Sequence, residues 1–425
     1  MPESARAVAP DRVRDEATQL LRRLIACDTS NPPGAEAQAV AILEDYLQPL
    51  GLECERVAKD PGRPNLLVRL PGTDGGRSLA FLGHLDVVQA RREHWTVEPF
   101  AGVERDGYIW GRGAVDMKCQ VAASAVALAT LAREGYRPSG DIMLILMADE
   151  EVGEEAVGAP YFVEAKPDLH PDFVIGEGAG ERYDTEREPV YLLDRGVNGS
   201  VHTTLRVRGR PGDASLPDGA SNAAYELARL LTRLEERDRP HRVLPEVEEL
   251  ASYRGSNEWL DRIIEALTTN VFTPTTVDAS GPLNVVLEEA SVNIYGAVLP
   301  GTTEEDVERE LRDALGDGDY DLEVGGLQSG STSPADSPLR RTIEEFLGER
   351  DPEARLVPAL GYGYSDCQTL REAYDSVVYG FIPFRHADPE INLLSKHGVD
   401  ERILVDDLLF QVDAALHICR RLNEV

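Results

Sequence analysis

Four short apolar runs, at residues 65–70, 79–83, 142–147 and 173–175, are each bounded by Gly, Pro or Asp, and helical periodicity appears between them at 121–133. Runs of this length and punctuation read as strands buried on both faces. Their alternation with helix restricts the chain to an α/β architecture, a mainly parallel sheet flanked by helices. Residues 11–26 and 36–50 add two amphipathic helices, with Leu20, Leu21, Leu24 and Ile25 forming one apolar face of the first.

From about residue 196 the order changes. A strand at 202–207, a helix at 222–236, an irregular insertion, two strands around 284–299 and a helix at 304–315 follow the order of a split βαβ sandwich. Alternation returns after about 328, with helices near 339–347 and 365–373, a strand at 376–380 and a last helix from 403. We expect an α/β domain in two segments, 1–195 and 328–425, interrupted by an α+β domain at 196–327. A chain of 425 residues is long for one core and fits this division.

Charge narrows the partners. The 76 acidic and 43 basic residues leave a net charge of −33, and lysine occurs only as Lys59, Lys118, Lys166 and Lys396. Such a surface repels nucleic acid and repels itself at low ionic strength, so a salt-loaded cytoplasm of the halophile kind is the expected setting. No apolar run reaches the roughly 20 residues of a membrane span, and the opening residues do not resemble a secretory leader, which predicts a cytoplasmic protein. The five cysteines are scattered without close pairs and read as reduced thiols.

The residues able to do chemistry stand directly after the strands: His84 and Asp86, then Glu150 and Glu151, then Glu177. That is the carboxyl edge, where such sheets bind ligands. Two divalent cations about 3.5 to 4 Å apart need a bridging carboxylate and terminal imidazole or carboxylate ligands. Asp116, after a glycine-rich turn and before a helix, is placed to bridge. Asp86 lies two positions after His84, so along a strand its carboxylate can back the imidazole. In the Glu150–Glu151 pair, one residue can ligate a metal while its neighbour, assigned as Glu150, accepts a proton from the attacking water.

These residues lie in DTSNPPG at 28–34, GHLDVV at 83–88, GRGAVDMK at 111–118, ADEEVG at 148–153, VIGEG at 174–178, LPGTT at 299–303 and HGVDERI at 397–403. With these motifs in this order, the chain resembles metallopeptidase family 20 over nearly its whole length. That group includes acetylornithine deacetylase, succinyl-diaminopimelate desuccinylase, aminoacylase and glutamate carboxypeptidase. The resemblance implies a zinc-exopeptidase-like sheet and an inserted ferredoxin-like domain serving as lid and dimer interface. It implies two metal ions, zinc first with cobalt or manganese as alternatives, one on His84, Asp116 and Glu177 and the other on Asp116, Glu151 and His397. It further implies a cis peptide after Asp116, a substrate contact from Asn284 and catalysis through Glu150 supported by Asp86. The expected reaction is hydrolysis of the amide of a small carboxylate-bearing N-acyl amino acid or dipeptide by water held between the metals.

The chain departs from the family pattern at Leu287, where a proline often stands, at Cys119 and Gln120, where a glycine pair stands, and at two positions that bear on catalysis. Asp213, in GRPGDASLP, stands where members usually carry a lid histidine that stabilises the tetrahedral intermediate, and Ala297 stands where they often carry an arginine for the substrate carboxylate. A carboxylate repels a developing oxyanion, and losing one such donor costs about 3 to 4 kcal/mol. His202, on the strand leading to Asp213, is an alternative imidazole. The rival reading is a catalytically impaired paralogue that binds metal and a small acylated ligand without turnover.

Overall fold

Along the strand Leu79–His84, Leu79 and Phe81 join one apolar core while Ala80 and Leu82 join another. The strand Ile142–Met147 divides in the same way, Ile142, Leu144 and Leu146 against Met143, Ile145 and Met147. Period-two burial on both faces is what a sheet covered by helices on each side requires. The computed structural model describes residues 10–73, 75–153 and 155–424. One layer holds the helices Pro10–Ile25, Lys118–Arg133, Pro338–Arg350 and Val405–Arg421, and the other holds Ala159–Ala165 and Asp366–Tyr374. The central helix Lys118–Arg133 is buried from Lys118 to Leu131, and its alanines allow the close approach of Pro10–Ile25 and Val405–Arg421.

Among the described residues this sheet has nine strands. Its order is Glu53–Val57, Asn65–Leu70, Ile142–Met147, Leu79–His84, Phe173–Gly176, Val377–Gly380, Val190–Val197 and Arg355–Gly361, with Arg182–Tyr183 also paired to Val190–Val197. The centre, from Ile142–Met147 to Val377–Gly380, is parallel. Antiparallel pairs flank this centre, and the outer pair Val190–Val197 and Arg355–Gly361 is parallel again, so the sheet is mixed but mainly parallel. The α/β expectation holds. The strands Val190–Val197 and Arg355–Gly361 were not foreseen.

A separate antiparallel sheet has the order Val271–Asp278, Glu289–Val298, Gly199–Arg208, Tyr320–Gln328. The helices Ala223–Glu235 and Glu304–Leu315 cover one face and supply Leu227, Leu230, Val307 and Leu311 to its core. The connection and strand order are those of a ferredoxin-like sandwich. Two details differ from the sequence reading. The strand before Glu289–Val298 lies at Val271–Asp278, well upstream of residue 284; it is an edge strand whose buried residue is Phe272, so it shows no apolar alternation. The insertion read as irregular contains the helices Glu248–Ala251 and Glu258–Thr268. They pack Leu250, Leu260, Ile264 and Leu267 against Leu192, Val357 and Leu360 of the large sheet.

No helix among the described residues is long and apolar enough to cross a membrane. All five cysteines are free, four of them buried.

Candidate metal centre and active site

The strand Leu79–His84 ends at the carboxyl edge with His84 almost wholly buried, and its Nε2 is 3.2 Å from Asp116 Oδ1 and 3.8 Å from Glu177 Oε2. The other oxygen of Asp116 faces a second imidazole: Oδ2 is 3.1 Å from His397 Nε2, which is 3.0 Å from Glu151 Oε2. Five residues from five segments thus form two overlapping groups, His84–Asp116–Glu177 and Asp116–Glu151–His397, that share one carboxylate. Glu177 follows the strand Phe173–Gly176, and the next residue must be glycine: Gly178 has φ +148°, and a Cβ there would lie 2.7 Å from Asp194 Oδ2. The Asp116–Met117 peptide is cis.

Asp86 stands behind His84 and also holds the neighbouring turn. The Nδ1 of His84 lies 3.0 Å from the backbone carbonyl of Asp86 and 3.6 Å from its carboxylate. That carboxylate also accepts the backbone N–H groups of Glu150 (3.2 Å) and Glu151 (3.1 Å) and the amide of Asn31 (3.0 Å). Asn31 also donates to Asp149, which lies 3.4 Å from the buried guanidinium of Arg63, itself paired to Glu36 at 2.7 Å. Asp86 therefore fixes the turn that carries the Glu150–Glu151 pair.

Glu401 has the corresponding task for Asp116, and the sequence reading assigned it none. Its fully buried carboxylate accepts the N–H groups of Gly113 (2.9 Å), Val115 (2.6 Å) and Asp116 (2.9 Å) and pairs with Arg112 at 2.6 Å. Removing one partner of a buried ion pair typically costs about 3–5 kcal/mol. Glu401→Ala is expected to lose about that much unfolding free energy in a denaturant titration. A loss under about 1 kcal/mol would show that the loop stands without it.

The electrostatics suit bound cations. Burial and the neighbouring Glu177 push the Glu150 carboxyl well above the usual carboxylate range. Burial opposes ionisation of Asp116 too, yet Lys396, His397 and His84 hold its carboxyl well below that range. Glu151 Oε1 is buried without any hydrogen-bond partner. Two imidazoles whose Nε2 atoms face carboxylate oxygens, a carboxylate with one oxygen towards each and an orphaned carboxylate oxygen are a donor set for two divalent cations.

The profile of Peptidase family M20/M25/M40 matches residues 80–421. The chain belongs to this family. It is a metallo-hydrolase of peptide and N-acyl amino acid C–N bonds. Among curated M20 relatives, succinyl-diaminopimelate desuccinylase of Paracoccus denitrificans is 30% identical over 417 residues, covering 96% of this chain and 97% of that one. Among solved structures, human carnosine dipeptidase 1 superposes with TM-score 0.77 at 17% identity over 98% and 97% of the two chains. The M20 metallo-carboxypeptidase Sso-CP2 of Sulfolobus solfataricus gives 0.75 at 17% identity over 97% and 100%. At that identity the two structures speak for the fold.

The M20 fold here gathers His84, Asp116, Glu151, Glu177 and His397, with Glu150 and Asp86 beside them. Asn284 is elsewhere: it lies exposed on the small domain, its carbonyl accepting the N–H of Ala214 at 3.1 Å. Asp213 is beside it, paired across a bridge to Val285. Neither residue lines the cavity at the metal ligands. Ala297 is buried in the small sheet, and His202 is exposed, edge-on to Tyr295 with ring centroids 6.0 Å apart.

Proposed function

We propose that the chain hydrolyses the amide bond of a small N-acyl amino acid or dipeptide bearing a free carboxylate. In this reading His84, Asp116 and Glu177 hold one divalent cation, and Asp116, Glu151 and His397 hold the other. Imidazole and carboxylate donors favour zinc, and cobalt or manganese suits the same set. The observation that carries the reading is the shared carboxylate, with Asp116 placing one oxygen 3.2 Å from His84 and the other 3.1 Å from His397.

When bound, the cations supply Lewis-acid polarisation of the amide carbonyl and acidify water. Glu150 takes the water's proton and passes it to the departing amine, a task suited to a carboxyl whose proton affinity burial has raised. Asp86 and Glu401 keep Glu150 and Asp116 in place through backbone N–H groups. The resemblance to proteins named succinyl-diaminopimelate desuccinylase supports an N-acyl amino acid as substrate.

Residues 196–327 act in this reading as a lid and as the contact of a homodimer. The edge strand Val271–Asp278 and the exposed Leu216, Leu283 and Val285 support such a contact. Through it Asn284 would reach the partner's site. The net charge of −33 supports work in concentrated salt.

The test is release of free amine from N-acetyl and N-succinyl amino acids and from dipeptides by metal-loaded protein in molar salt. Turnover of at least one class is expected. A folded protein that carries its metals and stays silent across the panel would favour a binding protein without catalysis.

A further inference from the structure

A second cavity, about 680 Å³, lies at the base of the small domain and shares no lining residue with the one at the metal ligands. Its walls come from the end of the helix Ala223–Glu235, the helix Glu304–Leu315 and the segment 236–242 that leads towards the inserted helices. Arg309 and Asp306 in its lining pair with each other. The other charges stay apart. Among the described residues, Arg233, Arg237 and Arg242 have no carboxylate within ion-pair distance and bond to backbone carbonyls instead, and Glu310 and Asp313 have no basic partner. In a chain with 76 acidic and 43 basic residues, three converging arginines without a carboxylate need a reason. We propose that this cavity binds a free α-amino acid, with Arg237 receiving its carboxylate and Glu310 its ammonium. The site is independent of the hydrolase reading, although the ligand class is that of the amino acid such a hydrolysis releases.

Arg237 lies over the ring of Phe272 and donates from Nη1 to the carbonyl of Leu234 at 2.9 Å and from Nη2 to the carbonyl of Asn270 at 3.1 Å. Its Nε is buried and has no hydrogen-bond partner. Asn270 connects this guanidinium to Glu310, because its Nδ2 donates to Glu310 Oε2 at 2.8 Å. The other oxygen of Glu310, Oε1, is also buried without a partner. One asparagine thus stands between a charged donor that lacks an acceptor and a charged acceptor that lacks a donor. Each orphan is costly, and buried polar atoms are rarely left so. Burial, then the neighbouring Arg239, lowers the proton affinity of the Arg237 guanidinium, and Glu310 opposes that shift without reaching it.

The rest of the lining selects the ligand class. Glu236, Asp238 and Asp313 line the same space as Arg233 and Arg242, so an inorganic anion entering it meets as many carboxylates as guanidiniums. A simple cation meets the arginines. A zwitterion satisfies both orphans at once: its carboxylate accepts from Arg237 Nε and its ammonium donates to Glu310 Oε1. Pro240, Leu299 and Ala314 give the remaining lining an apolar part for a side chain. The position of the cavity gives binding a structural consequence. The N–H of Arg242 donates at 2.7 Å to the carbonyl of Thr268, at the end of the inserted helix that packs on the large sheet, whereas Glu310 belongs to a helix of the small domain's own core. A ligand held between Arg237 and Glu310 ties the small domain to the insertion docked on the large one.

Equilibrium dialysis of radiolabelled L-alanine, L-leucine, L-glutamate and L-lysine against the zinc-loaded chain in molar salt tests the proposal. At least one is expected to bind at about one equivalent per chain in a site that Glu310→Gln and Arg237→Lys each weaken about tenfold or more. Glu310→Gln keeps an oxygen for Asn270 and loses the charge, and Arg237→Lys keeps the charge and loses Nε. Melting of each variant without ligand reports on its fold, and where Arg237→Lys melts below wild type, Glu310→Gln alone decides. Analogues of the bound amino acid that lack only the amine or only the carboxylate, propanoate and ethylamine in the case of alanine, are expected to displace it about tenfold less well or worse. Absence of binding by all four amino acids overturns the site and leaves the two orphans to a bridging water. Binding that survives both variants also overturns it, and places the ligand at the metal centre. Displacement by the carboxylate analogue or by inorganic phosphate as readily as by the amino acid itself overturns the zwitterion and leaves an anion site.

Discussion

Replacing Glu150 by alanine is expected to lower kcat by about 100- to 10,000-fold, the range a positioned general base contributes, while the protein keeps both cations. Glu150 lines the cavity that Asp116, Glu151, Glu177 and His397 also line, and desolvation, then the neighbouring Glu177, raises its carboxyl well above the usual carboxylate range in the metal-free chain. It belongs to neither group of metal-ligand candidates, so its removal leaves the donor atoms in place. Its backbone N–H, which anchors the turn to Asp86 at 3.2 Å, also survives the substitution. Hydrolysis rates measured beside metal content separate the two roles. A rate within about threefold of wild type would place the base elsewhere; loss of metal together with rate would make Glu150 a ligand.

Asp116→Ala should have the other large effect, loss of both cations. Each group of donors loses its shared member, and His84–Glu177 and Glu151–His397 are left as two-residue sites. Elemental analysis after dialysis is expected to fall from about two ions per chain to nearly none, with activity falling in step. His397→Ala should remove the second ion and spare the first. Loading also competes with protons. Asp116 and Glu151 raise the His397 imidazole to about 9 in the metal-free chain, so it is protonated below that pH and must give up its proton to a cation. Apparent affinity is therefore expected to rise with pH, by up to about tenfold per unit between roughly 7 and 9, and to level off above. An affinity indifferent to pH over that span would remove His397 from the ligand set.

Four of the five candidate metal ligands stand at a chain position with a local signal. His84 and Glu177 close buried strands, and Glu151 lies in the turn after one. Asp116 follows a glycine-rich turn and precedes a helix; His397 was carried by motif resemblance alone, and the fold brings the two within hydrogen-bond distance across 281 residues of chain, the difference between their numbers. The residues behind the centre were not legible. Glu401 acts through backbone N–H groups some 285 positions away, a contact that leaves no spacing to read. Asp86 illustrates a partial success: strand alternation put its carboxylate behind His84, but the N–H groups of Glu150 and Glu151 offer it more hydrogen bonds than one imidazole can.

In the fold, helices and central strands followed their apolar periods, whereas Val271–Asp278 hid because an edge strand alternates little. The insertion hid for another reason. The helix Glu258–Thr268 is amphipathic, but its partner is the large sheet, and periodicity does not say which core a helix joins.

The most direct test of the central claim is diffraction at the zinc absorption edge from crystals of the zinc-loaded protein. Two anomalous peaks are expected about 3.5 to 4 Å apart, flanking the Asp116 carboxylate, one about 2.0 to 2.1 Å from His84 Nε2 and the other at that distance from His397 Nε2. A single peak, or a pair that does not share Asp116, would contradict it.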